Sequence, residues 1–125
     1  MIIYKCPHCG RIVMNINSSN EKFFCCQHEM TELIANTTDA SAEKHVPTMS
    51  IDNGLVHIKV GSVAHPMQDI HYIEWIALET KDGNIQLKYL KPNDAPEAKF
   101  SLINGEQLYK VYAYCNLHGL WVAAY

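Results

Sequence analysis

Four histidines and one cysteine, His45, His65, His71, Cys115 and His118, make a donor set for a single metal ion, and Cys6, Cys9, Cys25 and Cys26 make a second set. All five cysteines are thereby used. Four thiolates complete a tetrahedral site, whereas four neutral imidazoles and one thiolate leave one position of an octahedron empty. A closed site can store an electron; an open one can also react.

In the thiol set, Cys6 and Cys9 flank Pro7-His8 and precede Gly10, a knuckle whose backbone amides can turn toward the sulfurs. Cys25 and Cys26 are adjacent, so a regular strand would send their side chains to opposite faces. The backbone must therefore bend there. Spacing alone leaves iron and zinc both open, zinc as a structural knuckle, and a Cys6–Cys9 disulfide is a further alternative. The odd cysteine count argues against a pure disulfide framework. His8 and His28 are expected to be exposed rather than to bind metal, since four thiolates already suffice.

In the mixed set, His65-Pro66-Met67 and His71 lie close enough in sequence for one loop to present both imidazoles. The run Cys115-Asn116-Leu117-His118-Gly119 offers thiolate and imidazole from one turn, and His45, before Pro47, arrives from a separate segment. His57 is set aside because it falls mid-strand on a polar face.

The elements that must hold these groups read as strands. Alternation places Val56, Ile58 and Val60 on one face against His57 and Lys59, and Ile73, Trp75 and Ala77 opposite Glu74 in a strand over 71–79. Further strands are expected at 85–90, 99–103, 108–114 and 120–124, with tight turns at Asn53-Gly54, Asp82-Gly83 and Asn104-Gly105. No helical spacing is expected. This pattern predicts an antiparallel sandwich, most simply an immunoglobulin-like one. The first thirty-odd residues read as a coreless appendage with strands near 2–5 and 12–16 and turns at Gly10 and 17–20, and the small polar run 35–42 reads as a linker.

The 125 residues suffice for one ordinary core plus that appendage. A net charge of −3 and a pI near 6.1 give no basic surplus, which argues against nucleic acid and anionic membrane as partners. The N-terminal MIIYKCPHCG is not of signal-peptide type and no apolar run is long enough to span a bilayer, so a soluble cytoplasmic protein is expected.

The segments Glu43-Lys44-His45-Val46-Pro47, His65-Pro66-Met67, His71-Tyr72-Ile73 and Tyr114-Cys115-Asn116-Leu117-His118-Gly119-Leu120-Trp121 closely resemble the desulfoferrodoxin family of superoxide reductases, in its two-iron class. Cys6, Cys9, Cys25 and Cys26 match the desulforedoxin-like module of that class. The resemblance implies two non-haem irons: Fe(Cys)4 in a desulforedoxin-like module over 1–36, and Fe(His)4Cys in a neelaredoxin-like superoxide reductase sandwich over 37–125. It implies four equatorial histidines, His45, His65, His71 and His118, an axial Cys115, and one-electron reduction of superoxide to hydrogen peroxide. It also implies a homodimer.

Chemistry expected of those residues agrees. A ferrous ion with one thiolate and four imidazoles carries a formal charge of +1, which attracts a small anion whatever the net charge of the chain. The Cys115 thiolate donates electron density and helps the iron give up its electron. Lys44, beside His45, is expected to attract superoxide and orient water for protonation, and the resemblance gives Glu43 the sixth position once the iron is ferric. Four thiolates lower the potential of the first iron, so electrons should run from it to the second, fed by rubredoxin or a flavoprotein reductase. A non-catalytic iron electron carrier and a zinc-stabilised binding module are the alternatives.

Overall fold

The computed structural model describes residues 1–17 and 19–125, so the turn expected at 17–20 lies partly outside the described residues. The chain divides into two units, Met1–Ile34 and Ala35–Tyr125. Among the described residues no helix is long and apolar enough to cross a membrane.

The first unit holds β1 (Ile2–Lys5), β2 (Ile12–Asn15), β3 (Phe24–Cys25), β4 (His28–Glu29) and β5 (Thr31–Glu32). Strand β1 is the centre of a three-stranded antiparallel sheet between β2 and β5, and β3 with β4 forms a separate hairpin. Its buried apolar side chains are Ile3, Cys6 and Met30, while Ile2, Met14, Ile16 and Phe24 stay exposed. Such a core offsets little of the backbone entropy lost on ordering, and units of this size need a staple such as bound metal.

The second unit opens with α1 (Ala42–His45) and continues as β6 (Pro47–Asp52), β7 (Leu55–Val60), β8 (Ile73–Thr80), β9 (Ile85–Tyr89), β10 (Glu97–Ser101), β11 (Leu108–Cys115) and β12 (Gly119–Ala124). Two antiparallel sheets, β10-β7-β6 and β12-β11-β8-β9, form an immunoglobulin-like sandwich. Between them lies one core that includes Val56, Ile58, Val60, Ile76, Leu78, Phe100, Val111, Ala113 and Cys115. Strand β7 alternates as its sequence says, with Val56, Ile58 and Val60 fully buried. In the β6–β7 turn Asn53 and Gly54 both have positive φ, 48° and 79°, the mirror-image turn whose twist suits a hairpin.

Three expectations need correction. In β8 the core-facing residues are Ile73, Ile76 and Leu78, not the row Ile73, Trp75 and Ala77. A register shift at Tyr114/Cys115 changes the parity after Ile73, and Trp75 turns to the other face, where it stacks on Tyr114 at 5.6 Å. Strand β10 runs from Glu97 to Ser101 rather than over 99–103, because its partner β7 begins at Leu55, directly after the Asn53–Gly54 turn, and Ser101 pairs with that first residue. Strand β6, not among the expected strands, does alternate, with Pro47 buried and Met49 packed against the core, while Thr48, Ser50 and Asp52 are exposed. The single helical turn α1 departs from the expected absence of helix, since four residues are too few to show a period.

The presumed linker is bonded to the sandwich. Asn36 donates from its backbone to the Leu120 carbonyl (3.0 Å). Its carboxamide donates to the Val122 carbonyl (3.0 Å) and accepts from the Val122 amide (2.9 Å).

Candidate metal centres

The thiol set is assembled by two backbone bends. After β1 the chain folds back at Cys6–Gly10: Gly10 N–H donates to the Cys6 carbonyl (3.0 Å), Cys9 N–H donates to the Cys6 sulfur (3.4 Å), and Gly10 has φ +75°. Between β3 and β4 the two turn residues are Cys26 and Gln27, with φ 53° and 63°. This mirror-image turn is how adjacent cysteines come to face one point, and it places side chains where glycine is usually preferred.

The sulfurs of Cys9 and Cys25 lie 3.7 Å apart and those of Cys25 and Cys26 3.8 Å apart. Sulfurs about 2.3 Å from a tetrahedral ion stand about 3.8 Å from one another. All five cysteines are free thiols, so the Cys6–Cys9 disulfide is not formed. The amide of Cys9, aided by that of His8, pulls the Cys6 thiol down to about 6. Contact with the Cys9 and Cys6 sulfurs pushes Cys25 up to about 12, and Cys26 is also raised, first by Cys9. Four thiolates therefore repel one another unless a cation lies between them, and the residues fit a metal ion. His8 and His28 are exposed and stack on each other at 5.4 Å, outside the thiol group.

The mixed set comes from three places. Helix α1 supplies His45, the loop before β8 supplies His65 and His71, and the β11–β12 turn supplies Cys115 and His118. All five donor atoms lie within 4.8 Å of one another. Around the ring, adjacent imidazoles are nearly perpendicular: His45–His65 77°, His65–His71 81°, His71–His118 85° and His118–His45 81°. His45 and His71 stand across from each other at 6.3 Å and 30°. Cys115, fully buried at the end of β11, has its sulfur 3.9 Å from Nδ1 of His118.

Hydrogen bonds fix which nitrogens face inward. His45 Nδ1–H donates to the Ser41 carbonyl (2.7 Å) and His65 Nδ1–H to the Pro66 carbonyl (2.6 Å). Each ring thereby turns a bare Nε2 to the centre, in the way that outer carbonyls orient metal-binding histidines. His45 Nε2 lies 3.1 Å from His65 Nε2 and 2.9 Å from His118 Nδ1. Nitrogens about 2.1 Å from one ion at right angles stand about 3.0 Å apart. Nε2 of His71 is buried without a hydrogen-bond partner.

Protonation does not resolve this crowding. Desolvation lowers His45, His65 and His71, with the other imidazoles adding to the effect, and His65 falls to about 4. Burial raises the Cys115 thiol against the opposing amides of His118 and Leu117. Bare nitrogens converging on a buried thiol fit a divalent cation.

Glu43 and Lys44 sit on α1 beside His45, both exposed. The Lys44 charge reaches the ring, where it adds to the lowering of His45 and His71. His57 lies on β7 against Glu97 (3.1 Å) and belongs to neither donor set. Sequence reasoning missed the outer contacts. Trp121 stacks on His45 at 4.8 Å and donates from Nε1 to the His118 carbonyl (3.2 Å), and Ser41 and Pro66 contribute only backbone, which no side-chain motif reveals.

The family described as Desulfoferrodoxin matches residues 37–124. The chain belongs to the desulfoferrodoxin family. It is similar to the desulfoferrodoxin of Syntrophotalea carbinolica, 47% identical over 119 residues, 95% of this chain and 92% of that protein. Its structure is similar to that of the superoxide reductase from Treponema pallidum, with a TM-score of 0.80 and 36% identity over 97% of this chain and 98% of that one. The superoxide reductase (1Fe-SOR) of Giardia intestinalis covers 66% of this chain and 97% of its own, with 34% identity and a TM-score of 0.57. This member of the family carries, in its four-thiol and histidine–thiol groups, donors suited to two iron centres.

Proposed function

We propose that this chain is a superoxide reductase: superoxide, one electron and two protons become hydrogen peroxide, and no dioxygen is released. The observation that carries this reading is the ring of four imidazoles backed by Cys115, five donors where an octahedral ion takes six. Iron held there supplies a one-electron couple and a free position for a small anion. We assign His45, His65, His71, His118 and Cys115 to that iron and Cys6, Cys9, Cys25 and Cys26 to a second.

The surrounding residues do the rest. The Ser41 and Pro66 carbonyls hold His45 and His65 with Nε2 inward, so the rings stay neutral and the site keeps the charge of the ion. The amides of His118 and Leu117 favour Cys115 as thiolate against its burial. The Lys44 ammonium, whose field already reaches His45 and His71, draws in the anion and holds water as the proton source. Glu43, its neighbour on α1, would offer its carboxylate to the oxidised iron. Residues 1–36 serve as the electron relay and 37–125 as the catalytic part, with rubredoxin or a flavoprotein reductase as donor. We assign the chain to a homodimer, and to a reducing, cytoplasmic setting that suits five cysteines free of disulfides.

Mixing the reduced, iron-loaded protein with pulse-generated superoxide tests this reading. One hydrogen peroxide per superoxide with no oxygen evolved is expected. Half that yield with oxygen release, or no reaction, overturns it, and metal analysis showing zinc in both sites reduces the chain to a structural module.

A further inference from the structure

The turn that carries Cys115 and His118 is tied to the loop that carries His71 through one side chain. The ladder between β11 and β8 ends where Cys115 faces Ile73, and the Asn116 amide adds a last backbone bond to the Tyr72 carbonyl (3.2 Å). There the two backbones separate, because β11 must turn back into β12. The Asn116 carboxamide carries the pairing on. Its Oδ1 accepts from the Tyr72 amide (3.0 Å) and its Nδ2 donates to the Ile70 carbonyl (3.1 Å). It thus holds the backbone on both sides of His71. A carboxamide has the donor and acceptor of a peptide, so it completes a strand-like pair where no peptide is available.

We propose that Asn116 is a positioning residue that fixes His71 relative to Cys115. This rests on the assignment of both residues to one iron, made above. Among the described residues no hydrogen bond to a ring nitrogen of His71 holds that imidazole from outside, in contrast to His45 and His65. Its backbone is therefore the handle, and Asn116 grips it. An aspartate keeps the acceptor for Tyr72 but has no donor for Ile70; a leucine of similar size keeps neither.

The test is anaerobic titration of the metal-free full chain with ferrous iron in competition with a chromogenic chelator, on wild type, Asn116→Asp and Asn116→Leu. Outer partners of metal-binding histidines typically set affinity by about 10- to 100-fold. Asn116→Leu is expected to lose that much at the histidine–thiol centre and to shift the visible thiolate-to-iron absorption of the oxidised protein. Asn116→Asp should lie between, and the four-thiol centre should keep its affinity in all three. Unchanged affinity and spectrum in Asn116→Leu overturns the proposal, as does an equal loss at both centres, which would mark general destabilisation. A wild type that binds iron at the four-thiol centre alone overturns the underlying assignment instead.

Discussion

His45 and His65 point bare nitrogens at each other across 3.1 Å. Each has spent its Nδ1 proton on a carbonyl, at Ser41 and Pro66, so neither Nε2 can donate to the other. A cation between them converts that repulsion into two bonds.

Ferrous iron should therefore stabilise the metal-free protein strongly, by binding the folded state alone. In His65→Ala the gain at this centre should shrink by about 1.4 kcal/mol for every tenfold loss of affinity. Urea midpoints with and without iron measure both; an unchanged iron-dependent gain in the variant would remove His65 from the site.

Lys44→Ala should slow the reaction with superoxide by roughly 3- to 10-fold at low salt, and its rate should depend less on ionic strength than that of wild type. Lys44→Arg should retain most of the rate. Stopped-flow or pulse measurements over a salt series decide the matter, since a purely structural lysine would leave the salt slope alone.

Acid should weaken the metal-free fold before it protonates the carboxylates. His65 titrates near 4 when folded and near 6.5 when unfolded, so the unfolded chain binds the proton more readily. Its contribution is whole above pH 6.5 and is lost as pH falls toward 4, up to about 3 kcal/mol if the full shift is expressed. His45 and His71 act in the same direction. Urea unfolding between pH 7.5 and 4.5 should show the decline, and His65→Ala should flatten it.

Gly61→Ala should destabilise the second unit by about 1–3 kcal/mol, the usual range for overpacking. A Cβ there would run into the Glu43 carbonyl oxygen and lie 2.9 Å from both the Lys44 carbonyl carbon and the Val46 oxygen. Two neighbours grip the same Glu43 carbonyl, through the Val63 amide (3.1 Å) and the Ser62 hydroxyl (3.2 Å). Thermal melts together with the superoxide rate should report both the strain and the displacement of α1.

What could be read from residue order was whatever depended on type and period. Val56, Ile58 and Val60 announced a half-buried strand, Asn53-Gly54 announced its turn, and both donor sets were visible as cysteines and histidines that no core required. The adjacency of Cys25 and Cys26 even required the bend that the structure places at Cys26. What stayed hidden depended on register and backbone. The inward face of β8 follows from a local shift against β11, which no alternation in β8 encodes. Ser41 and Pro66 act through carbonyls that every residue has, and Asn116 looked like an ordinary turn residue until its partners were seen.

Asn36 has an outcome of its own for how the sandwich meets other chains. By occupying the peptide groups of Leu120 and Val122, it seals the rim of β12 against recruitment of a foreign strand. Within that sheet the opposite rim, β9, is left to face such encounters, with Ile85, Leu87 and Tyr89 uncovered. Lys88, set among them, is the kind of charge that discourages unwanted edge-to-edge growth.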